Sequence, residues 1–282
     1  MSDIVFIADF FANQVAGGGE LNNQELILTL QKYSYNVTTI NSHNCRPATL
    51  RDLPDATTFI IANFINLSEE CKQVFKEEKR YVIYEHDHKY IKTRNPAEYD
   101  NFIAPRAQII NYDFYKNALA VLCQSDFHLN IVKSNLKLEN IKSLGGNLWS
   151  DTSLSLIEEL SKIKKEPLYA IMDSDNWHKN TRGAIKLCKT KQWDYVLIKP
   201  CEYTDFLHTL GKNEKFVFLP QTPETLSRIV VEARMMGMSV ITNNLVGATK
   251  EPWFDMKGTE LIQFMAAKKD EIYNTVKEVL AI

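Results

Sequence analysis

From end to end, short apolar runs of strand length alternate with longer segments of helical period, and this pattern commits the chain to parallel sheets covered on both faces. In the first half the strand-like runs fall at 4–8, 37–40, 58–62, 81–84, 120–123 and 141–144, with helical segments at 20–32, 69–79 and 126–135 between them. After Gly145-Gly146 and the polar Ser150-Asp151-Thr152, a helical segment over 154–164 leads to Glu166-Pro167. The alternation then begins again, with strands at 168–172, 195–198, 216–219 and 240–242. The restart predicts an α/β protein of two Rossmann-like, doubly wound parallel-sheet domains, residues 1–150 and 151–282. With 282 residues in all, each half is close to the usual size of a nucleotide-binding unit.

Composition narrows the class without naming it. Hydrophobic residues are 45% and charged residues 24% of the chain, as in an ordinary soluble globular protein. The net charge is −2 with both signs interspersed, so no dedicated nucleic-acid surface is evident. No apolar run is long enough to span a bilayer, and the N-terminal MSDIVFIADFF carries an acid where a leader would carry a basic region. A cytoplasmic protein is expected. The five cysteines form no C-x-x-C pair and read as buried free thiols of a reducing compartment.

The densest functional signal runs from Phe216 to Gly247. Its first strand ends at Pro220, the Pro223-Glu224 step reads as a helix start, and Gly237 suits the helix end before the strand at 240–242. Ligands of such units collect outside the carboxyl ends of the strands, which aims Glu224 at a ligand. On one helix Glu224 and Glu232 would stand about 80° apart around the axis and about 12 Å along it, enough to hold two parts of one long ligand. The alternative is a solvated ladder, because Arg228 lies four residues from each acid. Leu226, Ile229, Val230 and Ala233 already form a core stripe, yet Val231 and Met235 fall among the charges. The acidic face is therefore expected to be covered, by a ligand or by another domain.

Three further constellations sit where strands end. Ala16-Gly17-Gly18-Gly19-Glu20 follows the first strand and opens a helix, where close backbone approach and free N–H groups favour an anion; a flexible turn is the alternative. It lacks the third glycine of a dinucleotide fingerprint, since Asn22 stands there. Tyr84-Glu85-His86-Asp87-His88 closes the fourth strand. Alternation along an extended strand leaves one ion two ligands at best, so no metal site is assigned; His86 could equally be a satisfied structural histidine. His178-Lys179-Asn180-Thr181-Arg182-Gly183 places cations after the strand at 168–172, where a diphosphate leaving group would find its developing charge stabilised.

Phe216–Gly247 resembles the donor-binding segment of the retaining, GT-B-fold glycosyltransferases of family 4, the group 1 transferases. Their signature is two glutamates with seven residues between them, a small residue, a glycine, a strand and a further glycine. Here these are Glu224, Glu232, Ala233, Gly237, MSVIT and Gly247. Ser125-Asp126-Phe127 and Gly145-Gly146-Asn147 resemble the ends of that family's first domain, so the resemblance covers nearly the whole chain, loosely before Phe216. It implies two domains facing a cleft, with a C-terminal helix, here 268–280, crossing back to the first. It also implies that Glu224 and the backbone of Thr225, Leu226 and Ser227 face the donor sugar, that Glu232 binds the ribose, and that Gly18 and Gly19 lie near the donor phosphates and the acceptor. His86, with Asp87 second, would face the sugar from the first domain.

The family usually carries an arginine and a lysine in the second domain, the lysine often directly before a glycine. This chain departs from that: Lys179 is three residues early and Arg182 precedes Gly183, and either could take the lysine's role. Asp173-Ser174-Asp175 resembles the D-x-D of the other large transferase fold, GT-A, but lies after a complete α/β unit, and loop shaping or helix capping is expected of it. The implied activity is transfer of a sugar, with retention and without metal or cofactor, from a UDP-, GDP- or ADP-sugar co-substrate to an unknown acceptor. Two alternatives stay open: a GT-B-like sugar-nucleotide epimerase and a non-catalytic nucleotide-sugar-binding module.

Overall fold

The computed structural model describes residues 3–15 and 17–281; Met1, Ser2, Ala16 at the head of the glycine stretch, and Ile282 lie outside them. The chain divides into two units, Met1–Leu148 with Lys269–Ile282, and Trp149–Lys268.

In the first unit the order is β1 (Asp3–Ala8), α1 (Gly18–Lys32), β2 (Asn36–Asn41), α2 (Pro47–Asp52), β3 (Thr58–Ile61), α3 (Glu69–Glu78) and β4 (Arg80–Glu85), then α4 (Tyr112–Asn117), β5 (Val121–Cys123), α5 (Asp126–Leu136) and β6 (Ile141–Ser143). All six strands are parallel, in the order β2-β1-β3-β4-β5-β6, with Ile4 of β1 opposite Val37 on one side and Thr58 on the other. Strand residues divide by alternation between two cores. Val5, Ile7, Phe59 and Ile61 pack with α3 and α5, while Ile4, Phe6 and Ile60 pack with Leu26 and Leu30 of α1.

The second unit runs α6 (Asp151–Lys162), β7 (Glu166–Met172), α7 (Thr181–Lys191), β8 (Tyr195–Ile198), α8 (Tyr203–Gly211), β9 (Asn213–Phe218), α9 (Arg228–Met235) and β10 (Ser239–Thr242). Its four strands are parallel in the order β10-β9-β7-β8. One face carries the main core, with Ala170, Phe216 and Phe218 against α8 and α9; the other carries Ile171, Val217, Ala184 and Cys188.

The final helix, α10 (Thr259–Leu280), starts nine residues before the expected 268. Leu261 and Met265 belong to the second unit's core, whereas Ile272, Val276 and Leu280 belong to the first's. The stripe keeps helical spacing throughout, with steps of four, seven, four and four residues, which is why one helix serves both. In each sheet the chain reverses its direction of growth once, between β1 and β3 and between β7 and β9, and the carboxyl ends beside these reversals are where ligands of such sheets collect.

Four cysteines are buried free thiols, but Cys201 is exposed. Among the described residues no helix is long and apolar enough to cross a membrane.

Helix α7 ends on Gln192, an exposed residue at φ 54° whose N–H bonds back to Cys188 and Lys189. A side chain disfavours that left-handed geometry and glycine does not. Gln192→Gly should therefore raise stability by about 0.5–1 kcal/mol in urea unfolding, and Gln192→Val should lower it.

Candidate active site

At the carboxyl edge of the second sheet the chain leaves β9 through Pro220 and does not enter a helix at Pro223-Glu224 as the sequence suggests. Glu224 instead forms a parallel bridge with Val246. Its N–H donates to the Leu245 carbonyl (2.7 Å), its carbonyl accepts from Gly247 (2.9 Å), and the Leu226 carbonyl accepts from Ala248 (3.0 Å). With these backbone groups engaged by residues 245–248, the segment bends without becoming helical, and α9 starts only at Arg228 behind Ser227, which sits at φ 74°. Glu224 and Glu232 thus share no helix, and the separation expected for one does not apply.

Lys179 reaches Glu224 because the turn before α7 is clipped to the end of β9. Asn180, at φ 54°, donates through Nδ2 to the Leu219 carbonyl (2.8 Å) and accepts the Gly183 N–H at Oδ1 (3.2 Å), and Gln221 N–H donates to the His178 carbonyl (2.8 Å). A Cβ on Gly183 would come within 2.5 Å of the Asn180 amide, so this capping geometry needs glycine there. Lys179 Nζ then lies 2.8 Å from Glu224 Oε1 and 5.6 Å from the centre of the Phe218 ring. The pair is accessible, with side-chain exposures of 30% and 16%. Arg182 is exposed and lines a cavity of about 370 Å³ with Asn176, Trp177, Thr181 and Gln221. Ser174 shapes this loop, accepting from Asn176 N–H at its hydroxyl, while Asn180 caps the helix.

Glu232 has a different environment. It is 3% exposed, and its Oε1 accepts from the Trp149 indole (2.9 Å) and the Tyr203 hydroxyl (2.7 Å), with Arg228 Nε 3.5 Å away. Arg228 also lies 4.5 Å over the Trp149 ring. Burial first, and then the Glu232 carboxylate, push the Tyr203 hydroxyl up, which keeps it a proton donor. The acidic face of α9 is indeed covered, with Val231 and Met235 fully buried. Its cover includes Trp149 and Tyr203 of the same unit, where the sequence suggested a ligand or another domain. Of the four residues from Glu224 to Ser227, Leu226 is a core side chain, and the buried Ser227 hydroxyl has no hydrogen-bond partner among the described residues.

In the first unit, Gly18 and Gly19 open α1 behind Gly17, and a Cβ on Gly19 would lie 3.6 Å from the His86 ring. His86 follows the end of β4, so the strict alternation assumed for an extended strand stops at Glu85. Gln124 Nε2 donates to His86 Nδ1, and His86 Nε2 lies 2.6 Å from Asn23 Oδ1; these partners fit the neutral ring with its proton on Nε2. His88 is buried against Tyr90 and His128. Asp87 pairs with Arg94 at 3.1 Å. Among the described residues no group of three or more His, Cys, Asp or Glu side chains is arranged to hold a metal ion.

The structure therefore joins Lys179 to Glu224 and Gly19 to His86, each pair within its own unit, and leaves Glu232 among other partners. Trp149, Tyr203, Asn180 and Trp177 are absent from the sequence-based candidates. Asn180 stood in the quoted motif, and an asparagine four residues ahead of a helical stripe is a capping signal.

No protein-family model matches the sequence, and no curated protein is significantly similar to it. Among solved structures, the chain is similar to sucrose-phosphate synthase from Thermosynechococcus elongatus (10% identity, all of both chains, TM-score 0.62). It is also similar to the catalytic domain of starch synthase IV from Arabidopsis thaliana bound to ADP and acarbose (11%, 99% of this chain and 95% of that one, 0.60). A third similar structure is Anabaena HepE in complex with UDP and glucose (12%, 99% and 92%, 0.54). At these identities the likeness shows the fold: two parallel-sheet α/β units, as in the GT-B glycosyltransferases.

Removing one donor from the buried Glu232 should destabilise the protein. Trp149→Phe is expected to cost about 1–3 kcal/mol in denaturant unfolding. His128, fully buried, has its pKa held well below the usual histidine value by desolvation and then by His88. The unfolded chain takes up this proton near pH 6.5 while the native state does not, so stability should fall as pH drops below about 6.5, by up to about 1.4 kcal/mol per pH unit. His128→Gln should flatten that slope by one proton.

Proposed function

We propose that this protein is a retaining glycosyltransferase of family 4 that moves a sugar from a nucleotide-diphosphate sugar to an acceptor held by the first unit. The observation that carries the reading is the accessible Lys179–Glu224 pair at the reversal point of the second sheet, beside the unpartnered Ser227 hydroxyl and the Arg182-lined cavity. Without ligand the two charges satisfy each other. A donor offers an anionic diphosphate to Lys179 and sugar hydroxyls to Glu224, so it exchanges one ion pair for two matched contacts. In this reading Lys179 and Arg182, and no metal, stabilise the charge that grows on the departing diphosphate.

The known ligands of the similar structures, UDP with HepE and ADP with the starch synthase, support a nucleotide-linked donor. The backbone of Thr225, Leu226 and Ser227 lines the donor's path next to Glu224. Given its burial, Glu232 meets a ribose only through Oε2, because Trp149, Tyr203 and Arg228 converge on Oε1. His86, oriented by Gln124 and Asn23 and flanked by Gly19, is assigned a role toward the transferred sugar.

Thermal unfolding in the presence of UDP-, GDP- and ADP-glucose tests the reading. One donor should raise the melting temperature, since a ligand at about 100 times its Kd adds about 2.7 kcal/mol. No shift with any of the three would sink it. With the matching donor, Glu224→Ala and Lys179→Met should each lower turnover about a hundredfold or more, with a smaller change in donor affinity for Glu224→Ala. Conversion of the donor's sugar without any acceptor would assign an epimerase instead, and binding without turnover on any acceptor would assign a binding module.

A further inference from the structure

A second hollow, lined by four cations and the carboxylate of Glu69, lies in the first unit beside the loop that continues from His86 and Asp87. It has a volume of about 510 Å³ and opens beside the carboxyl ends of β3 and β4. Four cations line it: Lys72 from α3, and Lys89, Lys92 and Arg94 from the loop after β4. Two of them are buried, Lys72 at 7% and Lys89 at 3% exposure. Their ammonium groups both lie near the Phe64 ring, 5.8 and 5.3 Å from its centre. Two like charges brought beside one apolar ring repel and are poorly solvated, and fixed partners hold them there.

Those partners leave an imbalance. Glu85 pairs with Lys89, Glu69 with Lys72 at 2.7 Å, and Asp87 with Arg94 at 3.1 Å; Lys92, exposed at the rim, has no ion-pair partner among the described residues. Glu85 is fully buried, whereas the Glu69 side chain is 81% exposed and able to turn aside. Asn111 accepts from Lys72 Nζ at 3.0 Å and donates to the Lys89 carbonyl at 2.8 Å, locking the two lysines in register. Asn111 and Arg94, both lining positions, take left-handed backbone at φ 56°, which asparagine tolerates and which for Arg94 follows a turn closed by its N–H on the Ile91 carbonyl (3.0 Å). Ile65, exposed at 53%, and Ile110 supply an apolar wall.

We infer that this hollow binds the phosphate monoester of a small phosphorylated acceptor, with Lys72, Lys92 and Arg94 around the dianion and Ile65 and Ile110 against the carbon skeleton. The volume suits a sugar-sized molecule. Forked and point cations together match a dianion carrying three acceptor oxygens. That the molecule is the acceptor rests on the glycosyl-transfer reading; the anion site does not.

Calorimetric titration of the full chain with inorganic phosphate, glucose 6-phosphate and glucose decides the matter. Glucose 6-phosphate should bind, more tightly than inorganic phosphate, and glucose should not. Lys92→Ala with Arg94→Ala, both exposed and checked for an unchanged circular dichroism spectrum, should weaken the phosphates about tenfold or more. Lys92→Glu alone should weaken them as well. Equal affinity in wild type and in the Lys92 and Arg94 variants, or binding of inorganic phosphate only, overturns the inference. Phosphate binding lost with UDP-, GDP- or ADP-glucose binding kept defeats this inference alone, while nucleotide-sugar binding absent with phosphate binding intact defeats only the transferase reading.

Discussion

Both units depend on one constraint: a parallel sheet buried on both faces can expose its strands only at their ends. The central strands β1, β3, β4 and β5 and most of β9 spend their side chains on the cores, and polar chemistry is delivered by the loops that leave the carboxyl edges. Asp9 after β1 shows how firmly those loops are set. Its buried carboxylate accepts from the Ser42 hydroxyl and from the N–H groups of Ile65 and Asn66, tying the exits of three neighbouring strands together. At the corresponding edge of the second sheet, the Asn180 amide performs the same office for the exits of β7 and β9. The candidate sites are built on loops, but loops held by buried hydrogen bonds.

Most of the fold was legible in the sequence because fully buried parallel strands are nearly continuous apolar runs, and the ends of those runs match the strand ends within a few residues. The short helices α2 and α4 carry too little periodicity to announce themselves. The start of α9 was misread for a physical reason. Proline followed by an acid is a good first helical turn, but it is equally compatible with an extended bridge, and residues 245–248 settled the choice by offering partners that no local pattern reveals. The cations near β7 were visible as residue types. Which of them meets Glu224 depends on the left-handed turn at Asn180 and on its bond to Leu219, 39 residues away.

The two glutamates that look equivalent in the sequence have become unlike in character. Glu224 has one partly exposed cation for a partner and a backbone bonded to residues 245 and 247, so its carboxylate can change partner without moving the chain. Glu232 has donors from Trp149 and Tyr203, 83 and 29 residues distant, and neither lies at a spacing that pattern reading could connect to it. A buried carboxylate held by an indole and a phenol fixes the beginning of α6 and the beginning of α8 against α9. The rigidity of the wall behind Glu224 owes much to this residue, whatever else it touches.

The path of α10 has a consequence for how the protein is made. The first core includes Ile272, Tyr273, Val276 and Leu280, yet these residues follow the entire second unit in the chain. During synthesis, the six strands of the first sheet emerge early with part of one face uncovered, and that face stays open until the last helix leaves the ribosome. The second unit, contiguous in sequence, holds all its own parts sooner. Completion of the first unit is thereby made conditional on translation of the second, so a chain interrupted within Trp149–Lys268 leaves an exposed apolar sheet face, which is the kind of surface that chaperones and proteases recognise.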